Sequence, residues 1–177
     1  MTVQEFGTAA LGWHDFFLAA SGASAALLGL LFVGVSINLA TITGEERVDL
    51  RARAAQAFAN LIFVLVIALL ILIPDPDPAA IAAGLTLIAA VGLVRVATNA
   101  LPIVRGRRRV PNWPGTLRRI GWTAIADLIL VFTAWRIWQS ADAGVIQNLV
   151  TVVFVLMIGA ADVAWEMLVE VSRQESG

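Results

Sequence analysis

The sequence predicts an all-α, polytopic transmembrane helix bundle of about five spanning helices, on three observations. Apolar residues make up 59% of the chain, charged residues 14%, and mean hydropathy is +0.85. A soluble domain holds about 45–50% apolar and about 25% charged residues. The apolar residues also fall in runs that reach the roughly 20 residues an α-helix needs to cross a hydrocarbon core of about 30 Å. Finally, the connectors between those runs divide cleanly by charge. Strands of a membrane barrel would alternate in shorter segments, and no such pattern is present.

The first run, 15–42, follows "WHDFF", where Trp13 suits the headgroup level and Asp15 can cap a helix. The residues before it lack a basic n-region and a small-residue cleavage site, so they are expected to be mature chain with room for a short interfacial helix. A second run, 54–73, is stopped by "PDPDP" at 74–78, because each proline fixes φ, lacks an N–H and restricts its predecessor. That makes a tight hairpin to the third run, 79–104. The fourth and fifth runs are 120–138 and 145–168. No internal repeat or linker divides the chain, so residues 1–177 form one integral membrane domain.

Orientation follows from the connectors. "TGEERVDLRAR" (43–53) holds three arginines and "RGRRRVPNWPGTLRR" (105–119) six, whereas "PDPDP" and "QSADAG" (139–144) hold none. Arg-rich loops stay cytoplasmic, so the expected topology is N-out, C-in. The tryptophans agree: Trp13, Trp135 and Trp138 fall at expected outer ends, Trp122 and Trp165 at inner ends, and Trp113 in an inner loop. An alanine-rich chain whose basic residues are all arginine fits a GC-rich bacterial genome and the cytoplasmic membrane, as a multi-pass protein.

Several chemistries are excluded outright. With no cysteine there is no disulfide, thiolate metal site or cysteine nucleophile. With no lysine there is no P-loop and no Schiff base. The single histidine, His14, rules out a two-histidine haem and a zincin pair. Asp127 and Asp162 lie on successive runs, but "IADL" and "GAAD" lack the Tyr-Asp and Gly-x-Gly-Asp motifs of intramembrane aspartyl proteases. The expectation is a non-enzymatic protein without cofactor or metal.

Charged groups inside a span cost about 2.5–3.5 kcal/mol on insertion scales, so each needs a partner or a purpose. Arg95, Asp127 and Asp162 are the clear cases, and Asn38, Asn60 and Asn99 fall in the same half of their helices. Together these six form an expected intramembrane polar layer. One reading is structural: Arg95 pairs with Asp127 or Asp162 while the asparagines bridge helices. The other is a hydrated path for ions or protons, because one arginine cannot neutralise two aspartates. Asp162, Glu166 and Glu170 form an acidic ridge at i, i+4 and i+8, for which Arg105, Arg107, Arg108, Arg109, Arg118 and Arg119 are the available partners. These six arginines are also the expected contact for anionic lipids on the cytoplasmic side. Nucleic-acid binding is not expected.

On a helical wheel Ser21, Gly22, Ala25, Gly29, Ser36 and Ala40 fall within one arc of about 100°. Gly22, Gly29 and Ser36 are seven apart, and Ser21, Ala25 and Gly29 four apart, the spacings that let helix backbones approach. This face is expected to pack on its own bundle, on a second copy of the chain, or around a pore. The expected function is a small oligomeric membrane protein, an ion-conducting channel using the polar layer. The alternative is a non-catalytic accessory or assembly subunit of a larger membrane complex.

Overall fold

The computed structural model describes residues 3–37, 48–74, 77–104, 113–140 and 144–175. Among them lie six α-helices and no strand: α1 Val3–Gly12, α2 His14–Ile37, α3 Val48–Ile71, α4 Pro78–Val104, α5 Trp113–Ser140 and α6 Val145–Glu175. Five are long and apolar enough to cross a membrane: His14–Ile37, Arg51–Ile71, Pro78–Leu101, Ile120–Gln139 and Val145–Trp165. The five expected runs are therefore present as helices, with the 38–42 end of the first outside the described residues, and α1 is the short helix that precedes them.

Local chemistry sets the helix ends. The chain bends at Trp13, whose N–H still donates to Ala10 O at 3.1 Å, so α2 leaves α1 with little loss of backbone bonding. Phe16 holds this corner against the bundle, with its ring 5.2 Å from Phe17 and 5.7 Å from Phe154 of α6. At the start of α4, Asp77 is the N-cap: its carboxylate accepts the Ala79 N–H at 3.2 Å, and its carbonyl accepts Ile81 N–H at 3.0 Å. Pro78 takes the first helical position, where its missing N–H costs nothing.

Helices α3 to α6 form an up-and-down bundle with contacts running α4 to α5 to α6 to α3, and only a sparse seam between α3 and α4. Its center is filled by fully buried Val64, Ile67, Leu85, Leu130, Leu149 and Val152. Lipid tails are as apolar as leucine, so close packing and hydrogen bonds, rather than transfer from water, hold such helices together in a bilayer.

Helix α2 stands to one side. Only 22% of its spanning window is buried, against 50% for α3, because α3 is nearly its sole neighbour. It docks through Phe17, Ala20, Ser21 and Ser24, and further along through Leu31 and Val35 against Ala54, Ala57 and Val163. That stripe repeats at three and four residues, as one helix face must. Ser24 Oγ donates to the Leu61 carbonyl at 2.6 Å, a bond between helices in the buried seam. Replacing Ser24 by alanine is expected to weaken the docking of α2 by about 1 kcal/mol. Reversible unfolding in mixed micelles, read beside protease release of α2, measures this.

Candidate functional site

The bundle interior carries polar groups on one face of each of three helices. On α3, Gln56 and Asn60 are one turn apart; on α5, Thr123 and Asp127 have the same spacing; on α4, Gly92, Arg95 and Asn99 follow at three and four. Gln56, Asn60, Thr123 and Asp127 are all buried. Gln56 Nε2 donates to Thr123 Oγ1 at 3.0 Å, tying α3 to α5. Asn60 lies against α6, where its Nδ2 and the Trp122 side chain both crowd Gly159.

Asp127 is the deepest of these groups, with none of its surface exposed. Its carboxylate rests on the backbone of α4 at Gly92, and a Cβ at that position would overlap it. Glycine is thus required there by close approach, not by backbone conformation. Neither carboxylate oxygen has a hydrogen-bond partner, and the same holds for Arg95 Nη1, Asn60 Oδ1 and Thr133 Oγ1. Arg95 lies with its Cζ 5.3 Å from the centroid of the Phe63 ring, a cation–π contact. The charges of Arg95 and Asp127 act on each other across the gap, but the two side chains form no ion pair.

A small cleft is lined by Gln56, Arg95, Val96, Asn99, Ile120 and Thr123; Asp127 does not line it but lies one turn from Thr123 on α5. It opens at the end of the bundle where α3 and α5 begin and α4 ends, the end that carries the Arg-rich connectors. It has room for about one water molecule at most. Beyond Asp127 toward the other end, the fully buried Leu130, Ile67 and Leu85 close the interior. Among the described residues the polar groups thus lie in one half of the bundle, and aliphatic side chains fill the other.

The expected polar layer divides into two parts. Asn60, Arg95 and Asp127 come to the bundle interior, and Asn99 is exposed at the cleft mouth. Asp162 does not join them: it pairs with Arg118 Nε at 3.0 Å, at the start of α5, with both side chains partly exposed. The surplus carboxylate of the sequence thus has its own cation. Asn38, Ala40, Arg105, Arg107, Arg108 and Arg109 lie outside the described residues, as do the side chains of Arg119, Glu166 and Glu170.

The small-residue arc of α2 is rotated away from its docking stripe. Ser21 is shared with the stripe and is buried, whereas Gly22, Ala25, Gly29 and Ser36 are exposed. A Cβ at Gly22 or Gly29 would meet no atom within 4 Å, and Ser36 Oγ donates back to Phe32 O at 2.8 Å. Sequence reasoning missed Gln56, Thr123 and Gly92. The signal for the first two was their position one turn from Asn60 and Asp127 on the same helix face. Comparison with known protein families, curated proteins and solved structures found no match to this chain.

Gly92→Ala is expected to lower the melting temperature of the purified protein, and adding Asp127→Ala should recover part of the loss, because the added methyl then meets space instead of carboxylate. The Arg118–Asp162 pair is worth less. A double-mutant cycle of Arg118→Gln and Asp162→Asn on thermal stability should give a coupling of about 1 kcal/mol at most, as for other partly exposed pairs.

Proposed function

We propose that this chain is a multi-pass protein of a bacterial cytoplasmic membrane that conducts ions as a homo-oligomer, with its N-terminus outside and its C-terminus inside. The observation that supports this most is Asp127: a fully buried carboxyl group within a spanning helix, without a hydrogen-bond partner, one turn from Thr123, which lines a small cleft toward the Arg-rich side. Intramembrane acids without a structural partner mark ion and proton pathways. Arg118 neutralises Asp162, so the reading rests on Asp127 and Arg95 alone.

Because the apolar interior beyond Asp127 is closed within one chain, transport across the bilayer calls for a rearrangement of the bundle or for a path shared between copies. The exposed arc of Gly22, Ala25, Gly29 and Ser36 on α2 is the surface by which copies would meet. A second reading is favoured by the same helix. An α2 attached along one side only suits a subunit that docks on a different, larger membrane protein, with no conduction of its own.

Flux in liposomes containing the purified protein separates the two. Conduction predicts a current that Asp127→Asn changes by about tenfold, equal to about 1.4 kcal/mol on the barrier. An accessory subunit predicts no current alone and the constant presence of a second kind of chain in the native complex. Topology is directly testable because the chain has no cysteine. A cysteine introduced by Asp75→Cys should react with an impermeant thiol reagent from outside the cell, and one introduced by Arg108→Cys only from inside.

A further inference from the structure

We propose that the ion bound at this site is a proton, that it is held on Asp127 as a carboxylic acid, and that it exchanges through the Gln56–Thr123 cleft at the Arg-rich end of the bundle. Arg95 is then the internal counter-ion that receives the carboxylate when the proton leaves. The proposal rests on the ion-conducting reading for the use made of the proton, but the binding site stands on its own geometry.

Three observations select a proton over a metal cation. A hard metal ion needs about six or more oxygen ligands in a shell around it. The Asp127 carboxylate instead lies against the α4 backbone at Gly92, so no shell fits on that side. No group of three or more acidic or histidine side chains suited to a metal ion exists among the described residues. The charge that acts on the carboxylate is the Arg95 guanidinium, which repels a metal cation in the same space. A proton needs one lone pair and no shell.

The unpartnered atoms are complementary. Asp127 offers two acceptors, and Arg95 Nη1 is a buried donor without an acceptor. In the arrangement seen here Arg95 sits over Phe63 instead of binding Asp127. An ionised carboxylate left bare in a protein interior costs several kcal/mol, which either a proton or the guanidinium removes. Loss of the proton is balanced simply: the Asp127 O–H bond breaks, the proton passes to water in the cleft, and the carboxylate accepts N–H bonds from Arg95. Protonation reverses each step.

Among the described side chains, Arg95 of α4 is the charged group that acts on Asp127. Helix α3 buries the uncharged Gln56 and Asn60 and carries Arg51 and Arg53 nearer its start. On α6 the acid within the described side chains is Asp162, which is held by Arg118 of α5 two turns and more from Asp127. Arg136, farther along α5, stands over Phe132.

Difference infrared spectroscopy of the full-length protein in lipid tests this directly. The expected result is one protonated carboxyl C=O band that disappears with pH, is absent in Asp127→Asn or, should that variant not fold, in Asp127→Ala, and shifts in heavy water. Filling the cleft with Thr123→Leu should slow that shift by about tenfold or more. Thr133→Val, on the closed side of Asp127, should leave its rate unchanged. Absence of the band, or its persistence in both Asp127 variants, overturns the proton site while leaving ion conduction to be judged by flux. Slowing by Thr133→Val and not by Thr123→Leu overturns the route. A band and an exchange rate as expected, with no flux from liposomes, preserves the site and removes the conducting role.

Discussion

The close approach of α4 to α5 at Gly92 is the contact on which the interior depends. Without a side chain at that point, α4 comes near enough to cover the Asp127 carboxylate completely. One turn further along α4, the same approach carries Arg95 to the Phe63 ring of α3. The sparse seam between α3 and α4 is bridged there by a cation–π contact instead of by dense apolar packing. A single missing methyl thus makes room for the Asp127 carboxylate against α4.

The bundle divides lengthwise into two chemical halves. Toward the Arg-rich end its interior holds Gln56, Asn60, Arg95, Thr123 and Asp127; toward the other end it is filled by aliphatic side chains, with Thr133 the exception. In a bilayer the aliphatic half gains little from burial itself, since lipid offers the same environment, so its contribution is the fit of side chains. The polar half is different in kind. Each hydrogen bond or unmet polar atom there is felt strongly in a low dielectric, so the Gln56–Thr123 bond and the unmet Asp127 oxygens, one turn apart on α5, differ widely in energy.

Helix α2 follows a separate logic. It is held by one neighbour, by the aromatic corner at Phe16 and by the Ser24–Leu61 bond, and it presents glycines outward. Its docking stripe uses small and aromatic residues at one end and Leu31 and Val35 at the other. The stripe and the small-residue arc share Ser21, so the wheel that predicted a packing face located one surface of a helix that has two.

The sequence by itself determined the five long helices, the proline stop before α4, and the presence of charges inside the spans. These follow from run length, proline chemistry and the cost of a charge in hydrocarbon, all of which are local. It also showed that one arginine faced two aspartates, but not how they divide. Only the tertiary structure decided that Asp162 goes to Arg118 and that Asp127 goes to no one. That choice depends on helix rotation and on backbone separation at Gly92, to the scale of a methyl group. Apolar runs without strong one-sidedness leave rotation unspecified, because lipid and helix neighbours reward the same residues. The lateral place of α2, and the division of the interior into a polar and an aliphatic half, were beyond the sequence for the same reason.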